Sequence, residues 1–236
     1  MQDKVVETRN EGRIMDVPKK KQELSDLALQ RLPRYLQYLR VLQKNGVTMI
    51  AAAKVATYFH LGEIQVRKDL AAVSSLQGRP KSGFLVERLI VDIESYLGFG
   101  NASKAVLVGA GSLGKALLAY DGFSQYGLKL LAAFDVDKAK LGTTEKGKHV
   151  YSLEELEKYC QRYQIHIGVI TVPAENAQEV CDKLVAAGVL AVWNFAPVHL
   201  VVPEGVLVQN ENMAVSLALL SKHLSDALNH DQEAVE

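Results

Sequence analysis

The sequence predicts an α/β protein with an N-terminal winged helix-turn-helix domain and a C-terminal domain built on a parallel sheet. Two patterns support this fold class. Between residues 25 and 76, apolar side chains recur at helical spacing, and glycines separate the stretches. After residue 103, short apolar runs alternate with amphipathic stretches, which is typical of parallel strands joined by helices. The 236 residues are enough for two domains.

The overall composition is that of a folded protein, with 48% hydrophobic and 23% charged residues. The net charge of zero argues against a protein that coats nucleic acid or membrane by bulk charge. No apolar run approaches the ~18 residues of a membrane span, and the first ten residues lack the apolar core of a signal peptide. We therefore expect a cytoplasmic protein with no membrane partner. Cys160 and Cys181 alone cannot form a disulfide framework or a zinc site, and no metal site is predicted.

The N-terminal helical region begins after a segment without a sustained apolar period, and residues 1–25 are predicted to form a flexible extension. The first predicted helix begins after Ser25, a suitable N-cap, and ends at Gly46. Pro33 suits the first position of a helical segment, so the first turns are either a separate short piece or part of one helix.

A helix-turn-helix pattern follows the first helix. The stretch TMIAAAKVATYFHL predicts a second helix, Gly62 a turn, and EIQVRKDLAAVSSL a third helix. The next stretch, LQGRPKSGF, is rich in glycine, proline and basic residues and predicts a short hairpin, the wing. Residues 86–98 predict a linking helix, so the first domain is expected to span residues 26–100.

Positive charge is concentrated in this first domain, because residues 26–83 contain nine arginines and lysines against three acidic residues. A helix-turn-helix presents the start of its second helix to base edges in the major groove of DNA, while cations hold phosphates. We expect Gln65 and Lys68 to read bases and Arg67 to hold a phosphate or a base. The alternative is a solvated helix face.

Four more basic side chains are assigned to DNA contact. Arg31 and Arg34 lie on the first helix, and Arg79 and Lys81 stand beside the flexible glycines of the wing, where they suit a narrow minor groove. The N-terminal extension is either a solvated tail or an arm that touches DNA.

The second domain is expected to span residues 101–210. Strands are predicted at KAVLV, LKLLAAF, IHIGVIT and VLAVWNF, with helices between them, one of which is opened by a capping box from Ser152 to Glu155. The stretch VVPEGVLVQN predicts a hairpin-like segment. An apolar-faced helix is predicted in the remaining residues, 211–236.

The turn VLVGAGSLG places Gly109, Gly111 and Gly114 in GxGxxG spacing directly after a strand and before a helix. This arrangement suits a pyrophosphate, because glycines allow close backbone approach and the helix N-terminus supplies N–H donors and a positive dipole. Asp135 ends the next strand, 21 residues after Gly114, where a carboxylate accepts from an adenosine ribose 2′-hydroxyl and repels a 2′-phosphate. The pattern predicts a Rossmann domain that prefers NAD(H) to NADP(H), a preference that nearby Lys138 moderates.

Ligands in open α/β sheets bind beyond the carboxyl ends of the strands, so the strand ends at Thr171 and Asn194 are also expected at the cofactor crevice. The residues after these two ends either line the crevice or simply begin loops. The predicted cofactor-binding residues are Gly109, Ala110, Gly111, Ser112, Leu113, Gly114, Asp135, Thr171, Val172, Pro173, Asn194, Phe195, Ala196 and Pro197.

No catalytic group is predicted. A dehydrogenase needs an acid or base near the nicotinamide, but His149, His166 and His199 are scattered, and the first two precede or begin strands, away from the crevice. Two alternatives remain, an NAD-dependent oxidoreductase and a CoA- or nucleotide-binding module. Detectable hydride transfer would support the first, and Asp135 argues against the second because it suits the 3′-phosphate side of CoA poorly.

Six segments in order resemble the Rex family of redox-sensing repressors: RLPRYLQYL, IQVRKDL, VGAGSLGKALLAYDGF, AAFDVD, ITVPAENAQEV and NFAPV. The resemblance covers the chain from residue 27 to about residue 220. It implies a homodimer that binds operator DNA in the presence of NAD+ and is released when NADH draws the Rossmann domains together. It also implies a C-terminal helix swapped between subunits, which the apolar face of residues 213–224 suits.

The sequence departs from this family at three positions that the resemblance assigns to coupling between cofactor and DNA. Members carry a tyrosine after the glycine that closes the wing, an aspartate just before the last helix, and an arginine in the first helix. The matching residues here are Phe84, Asn212 and Gln37. The arginine–aspartate pair cannot form, so we expect NADH to bind but to release DNA more weakly or through other contacts. The wing GRPKSGF also departs, which predicts a shifted operator preference.

Overall fold

The structure is a computed structural model that describes residues 24–76, 78, 83–99, 103–144 and 146–233. The chain divides into two compact units between Leu97 and Gly98. In the described part of the chain, no helix is long and apolar enough to cross a membrane. The predicted extension lies outside the described residues as far as residue 23, and so does most of the predicted wing hairpin.

Helices dominate the N-terminal unit. Its elements are α1 (Asp26–Lys44), β1 (Met49–Ile50), α2 (Ala52–Phe59), α3 (Glu63–Val73), β2 (Phe84–Leu85) and α4 (Val86–Tyr96). The Ser25 hydroxyl caps α1 by accepting a hydrogen bond from the Ala28 N–H. The apolar stripe of α1, including Leu32, Leu36 and Leu39, is fully buried, and α1 packs against α4 while α3 packs against both α2 and α4. The helical spacing read from the sequence therefore builds the core of this unit.

Two boundaries in this unit differ from the sequence prediction. Pro33 lies inside one continuous α1 and does not begin a separate piece. A proline inside a helix removes one backbone hydrogen bond, and burial of Leu32 and Leu36 on either side of it holds the helix together. Met49 and Ile50 form β1 and not the start of a helix, because their backbone pairs antiparallel with β2.

The C-terminal unit is a sheet with helices. Its strands are β3 (Ser103–Val108), β4 (Leu128–Asp135), β5 (Gly142–Thr143), β6 (His149–Ser152), β7 (Ile167–Ile170), β8 (Ala191–Asn194) and β9 (Leu207–Asn210). Its helices are α5 (Ser112–Ala119), α6 (Leu156–Tyr163), α7 (Ala174–Ala186) and α8 (Met213–Glu233). Within the described residues the strand order is β5-β6-β4-β3-β7-β8-β9, and the pairs from β6 to β9 are parallel. The predicted mostly parallel sheet is confirmed.

The sequence prediction was wrong about the segment before α8, which is not a hairpin. Strand β9 pairs parallel with β8, with Asn210 opposite Asn194. This pairing is possible because residues 195–206 return the chain to the edge of the sheet where β8 begins. The antiparallel pair β5–β6 was not predicted, since β5 has only two residues. The predicted capping box is present, with Ser152 and Glu155 each bonded to the backbone of the other.

Helix α8 exposes its apolar side chains in the single chain. Every residue from 213 to 225 is exposed, including Leu217, Leu220 and Leu224. A contiguous exposed apolar face of this kind marks an interaction surface.

Candidate cofactor cleft and nucleic-acid interface

The glycine turn after β3 is a packed structure that only glycines can form. Gly109 has a φ of +104°, and a Cβ there would lie 2.8 Å from the carbonyl carbon and oxygen of Thr171. A Cβ on Gly114 would lie 1.9 Å from the carbonyl oxygen of Gly109. The spacing of the motif therefore reflects two separate steric requirements, one on the backbone conformation and one on the approach of α5 to the turn.

Thr171, at the end of β7, holds this turn from the neighbouring strand. Its hydroxyl lies 2.8 Å from the Gly109 carbonyl oxygen and 3.1 Å from that of Val108, and it donates to these acceptors. The prediction placed Thr171 at the crevice through its position at a strand end. The structure adds that its side chain is bonded to the turn, so it orients the backbone that would face a ligand.

Gly111 leaves open space where the other two glycines do not. Apart from the adjoining backbone and the two neighbouring residues, no atom of the described residues lies within 4 Å of a Cβ built on it. Gly111 is also the N-cap of α5, and a glycine has no side chain with which to satisfy the first N–H groups of the helix. Free N–H donors, a helix dipole and open space form a cradle that fits a pyrophosphate.

Asp135, at the end of β4, is buried and faces the same turn. Its Oδ2 accepts a hydrogen bond of 2.7 Å from the Ala110 N–H, and its Oδ1 accepts one of 2.9 Å from the Asp137 N–H. The Lys140 Nζ lies 3.2 Å from Oδ2. Burial raises the pKa of the Asp135 carboxyl, but these two N–H groups and Lys140 lower it more, so the pKa lies below its ordinary value. The carboxylate is therefore charged at neutral pH.

The lysine beside Asp135 is Lys140 and not the predicted Lys138. Lys138 begins a 3-10 turn (Lys138–Lys140), and one turn of this helix brings the side chain of Lys140 back towards β4. Lys140 also lies 3.7 Å from Asp137. A basic group next to the carboxylate predicted to bind the ribose is thus present, as the sequence suggested, but it is supplied by a residue two positions later.

A cavity of about 590 Å³ opens over the glycine turn, a volume typical of a small-molecule site. Eight predicted cofactor residues line it: Gly109, Gly111, Leu113, Asp135, Thr171, Val172, Pro173 and Phe195. Residues that the prediction did not include complete the lining: Val108, Val136, Lys140, Leu153, Asn176, Glu179 and Val180. Asn176, Glu179 and Val180 lie three and four residues apart on one face of α7, a spacing that could have revealed them once Pro173 was placed at the cleft.

The other predicted cofactor residues do not line the cavity. Ala110, Gly114 and Ala196 are buried, and Ser112 and Pro197 are exposed outside the lining. Asn194 is fully buried, and its amide is bonded to the protein: its Nδ2 donates to the carbonyls of Ala196 and Val198 and to Asn210 Oδ1, and its Oδ1 accepts from the Ala196 N–H. Asn194 therefore shapes the loop that presents Phe195 and does not face the cavity.

Helix α3 of the N-terminal unit exposes three of the predicted DNA-binding side chains, Gln65, Arg67 and Lys68. Arg67 forms an ion pair with Glu63 one turn earlier. The opposite face of the helix is buried through Val66 and Leu70. Burial on one side and polar exposure on the other is the arrangement that a recognition helix requires.

Arg31, which the sequence analysis assigned to DNA contact, is half-buried and bonded within the N-terminal unit. Its Nε and Nη2 donate to the carboxylate of the buried Asp69 at 2.8 and 2.9 Å, and the Tyr35 hydroxyl donates to the same carboxylate at 3.1 Å. The hydrogen bond with Asp69 raises the pKa of Arg31. With the amide oxygen of Gln65 turned towards it, Arg31 also donates to Gln65 at 3.1 and 3.2 Å. Arg31 therefore links α1 to α3, because its positive charge balances the buried carboxylate of Asp69.

The remaining residues predicted to contact DNA are Arg34 on α1 and Arg79 and Lys81 in the predicted wing. Arg34 is exposed, and its guanidinium carbon lies 5.1 Å from the ring centre of Phe59. Arg79 and Lys81 lie outside the described residues. Asp92 of α4 accepts hydrogen bonds from the N–H and the hydroxyl of Ser75, which directly precedes the predicted wing, at 2.7 and 2.8 Å.

The three residues assigned to coupling occupy different environments. Phe84 is buried in β2, with its ring close against Gly78. Gln37 is exposed on α1. Asn212 stands directly before α8, and its Oδ1 accepts a hydrogen bond of 3.0 Å from the Ala214 N–H, which caps the helix. In the described part of the chain, no group of three or more His, Cys, Asp or Glu residues could hold a metal ion.

Family models match both units. Residues 23–71 match a putative DNA-binding protein N-terminus, and residues 101–198 match a CoA binding domain. The redox-sensing transcriptional repressor Rex of Bacteroides fragilis is 41% identical over 197 residues, which cover 84% of this chain and 89% of that protein.

Solved structures of a second repressor agree with this relationship. RSP, in a crystal structure with beta-NAD+ and operator DNA, is 32% identical, has a TM-score of 0.81 and covers 92% of this chain and 99% of its own. RSP with beta-NADH is 32% identical, has a TM-score of 0.79 and covers 90% of this chain and 99% of its own. With identity above 30% over most of both chains, the protein belongs to the Rex family of redox-sensing transcriptional repressors.

Proposed function

We propose that this chain binds operator DNA as a homodimer through α3 and is released when NADH occupies the cleft over the glycine turn. The observation that carries this proposal is the cleft itself, where the glycine turn and the open N-terminus of α5 suit a pyrophosphate and the charged Asp135 suits the adenosine ribose. The family members are transcriptional repressors, so the protein is a regulator and not an enzyme. RSP was crystallised with beta-NAD+ on operator DNA and also with beta-NADH, which supports the same two cofactor states here.

Each part of the cleft has an assigned role. The N–H groups at the start of α5, at Gly111, Ser112 and Leu113, bind the pyrophosphate. Asp135 accepts from the adenosine ribose, and its negative charge disfavours a 2′-phosphate. When bound, the dinucleotide supplies a nicotinamide whose redox state is read by the protein.

The nicotinamide end of the cleft is assigned to the strand ends of β7 and β8. Val172 and Pro173 follow β7, and Phe195 follows β8, and all three line the cavity. Apolar side chains at this place favour an uncharged ring over a charged one, because burying a charge without a partner is costly. This preference is in the direction required for a sensor of NADH.

On α3, Gln65 and Lys68 are assigned to base edges and Arg67 to a phosphate or a base. Arg31 takes the role of a positioning residue in place of direct DNA contact. It holds the amide oxygen of Gln65, which leaves the amide NH₂ of Gln65 as the donor available to a base or phosphate.

The exposed face of α8 is assigned to the homodimer. Leu217, Leu220 and Leu224 form an exposed apolar face, and a second copy of the chain would supply a matching surface. We also place the protein in the cytoplasm, since it acts on operator DNA and reads a soluble cofactor.

Coupling is proposed to run through contacts other than the arginine–aspartate pair of the family, because Gln37, Phe84 and Asn212 occupy those positions. Variant Gln37→Arg/Phe84→Tyr/Asn212→Asp restores all three residues. We expect it to respond to NADH more strongly than the natural protein, and equal sensitivity would contradict this part of the proposal.

The main test is fluorescence-anisotropy titration of a palindromic Rex-like operator at fixed salt, with NADH, with NAD+ and with neither. Salt is held constant because phosphate contacts dominate the affinity. Tight binding that NADH weakens at least tenfold and NAD+ spares supports the proposal, and such a change requires about 1.4 kcal/mol of preference of NADH for the released state.

Two results of the titration would contradict the proposal. Operator binding that NADH does not weaken would contradict the role as an NADH sensor. Absence of operator binding would contradict the role as a repressor. CoA is included as a competitor because residues 101–198 match a CoA binding domain. Displacement of NADH by CoA at equal concentration would favour a CoA-binding module instead.

A further inference from the structure

We propose that Trp193 is a positioning residue that transmits occupancy of the cofactor cleft to the start of α8. This inference rests on the proposed function, in which the cleft binds NADH and α8 forms the dimer. It concerns a contact, between Trp193 and Glu211, that the three coupling positions do not include.

The first side of the link faces the cleft. Trp193 and Phe195 project to the same face of the sheet, and their ring centres lie 4.8 Å apart. Phe123 packs edge-on against Trp193 at 5.5 Å and limits its movement in that direction. Because Phe195 lines the cavity, a group that packs against Phe195 also changes the packing of Trp193.

The second side of the link faces α8. The indole Nε1–H of Trp193 donates a hydrogen bond of 2.8 Å to Glu211 Oε1. The backbone N–H of Glu211 donates to the Asn194 carbonyl oxygen, also at 2.8 Å. Two consecutive residues of β8 therefore hold Glu211, and α8 begins two residues later with Asn212 as its cap.

The chemistry of this contact makes it suitable as a link. Both side chains are half-buried, and a hydrogen bond to a carboxylate in such surroundings is stronger than one between neutral groups. An indole N–H has one donor direction, so a small rotation of the ring breaks the bond to Glu211. The orientation of α8 thus depends on the position of a ring that also packs on the wall of the cleft.

Three variants test the link. Trp193→Phe keeps an aromatic ring against Phe195 and removes the N–H donor. Glu211→Ala removes the acceptor. Glu211→Gln is the matched control, because its amide oxygen still accepts from the indole. Thermal melting of each variant establishes that it is folded.

The first measurement is the ratio of operator dissociation constants with saturating NADH and without it, at fixed salt. We expect Trp193→Phe and Glu211→Ala to keep the NADH dissociation constant within about threefold of the natural protein, while the ratio falls to less than about a third of its natural value. Glu211→Gln is expected to keep the natural ratio. The inference would be overturned if both disrupting variants kept the ratio of the natural protein. It would also be overturned if the ratio fell only in proportion to a loss of NADH affinity.

The second measurement separates this inference from the proposed function, because it needs no DNA. Amide hydrogen exchange of residues 211–216 is recorded with and without NADH in the natural protein and in the three variants. We expect NADH to change exchange there in the natural protein and in Glu211→Gln, but not in Trp193→Phe or Glu211→Ala. That pattern would support the link even if operator binding ignored NADH, in which case only the proposed function fails. An unchanged exchange rate in the natural protein with bound NADH overturns the link.

Discussion

Gly109 and Gly114 approach each other so closely that a Cβ on Gly114 would lie 1.9 Å from the carbonyl oxygen of Gly109. This approach brings the first turn of α5 against the end of β3 and aims its N–H groups into the cleft. Gly111 lies between them in the sequence, and a Cβ added to it would meet no atom within 4 Å beyond the adjoining backbone and its two neighbours. The three glycines of one motif therefore have different roles, and mutation can separate them.

Substitution Gly111→Ala is expected to weaken NADH binding at least about tenfold, or 1.4 kcal/mol, while the fold is retained. The backbone of Gly111 has φ −74° and accepts any residue, but the added methyl group occupies the space assigned to the pyrophosphate. Isothermal titration with NADH measures the loss, and the melting temperature is expected to change by less than about 2 °C. Gly62→Ala, at a similarly open N-cap in the other unit, is the control and should bind NADH normally. Undiminished NADH affinity in Gly111→Ala would place the pyrophosphate elsewhere.

Substitution Asp135→Asn is expected to reduce the preference for NADH over NADPH by about tenfold. The carboxylate is charged at neutral pH, since its pKa lies below the ordinary value, and its charge is what repels a 2′-phosphate. Competitive titration of NADH and NADPH measures the preference. Asp137→Asn is the control, because Asp137 is more exposed and interacts with the same Lys140 at 3.7 Å. Equal loss of preference in both variants would mean that general charge, and not Asp135, selects the cofactor.

Substitution Arg31→Met is expected to destabilise the N-terminal unit by about 3 kcal/mol, because it leaves the carboxylate of Asp69 buried without its cation. Arg34→Met, on the same helix, is the control. Its side chain is exposed and stacks on Phe59, so its loss should cost about 1 kcal/mol or less. Hydrogen exchange of α1 and α3 amides in the full chain reports this local stability. Similar losses in the two variants would show that the Arg31–Asp69 pair adds little.

Stability of the N-terminal unit is expected to fall as the pH rises from about 10 to about 12. Burial, together with the charge of Asp69, raises the pKa of Tyr35 to about 12. The folded state therefore keeps a proton that the unfolded state releases near pH 10, so its stabilising contribution is complete below pH 10. The contribution is lost by about 1.4 kcal/mol per pH unit as the pH rises through this range.

The measurement for this pH dependence is chemical denaturation at several alkaline pH values. Tyr35→Phe should remove this component of the pH dependence, while Tyr58→Phe, which changes an exposed ring, should leave it in place. A Tyr35→Phe curve parallel to that of the natural protein would contradict the assignment.

Substitution Arg67→Ala is expected to weaken operator and non-specific DNA binding by similar factors and to reduce the slope of log affinity against log salt by about 0.9. Arg67 is exposed on α3, where a phosphate contact releases a counterion. Anisotropy titrations over a range of salt concentrations measure the slope. Lys158→Ala, an exposed lysine on α6, should leave the slope unchanged. A slope that Arg67→Ala does not alter would remove Arg67 from the phosphate contacts.

Local patterns predicted much of the fold because their causes are local. Helical spacing of leucines predicted α1, alternation of apolar runs and helices predicted the parallel sheet, and GxGxxG followed by Asp135 predicted where the cleft would be. In each case the residues that matter are near one another in the chain or obey a fixed period. Strand β9 was predicted wrongly because its partner, β8, is reached only through the irregular residues 195–206.

The sequence by itself determined the two-unit α/β organisation, the glycine turn, the acidic residue at the end of β4 and the family resemblance. Only the tertiary structure decided how individual side chains are used. In the folded protein, Arg31 pairs with Asp69, and Asn194 is buried behind the cleft. Lys140, and not Lys138, contacts Asp135, and Trp193 donates a hydrogen bond to Glu211. The physical reason is that a polar side chain bonds to whichever partner the fold brings within about 3 Å. For Arg31 and Trp193, and for the bond between Asn194 and Asn210, that partner is set by packing between separate elements and not by sequence spacing.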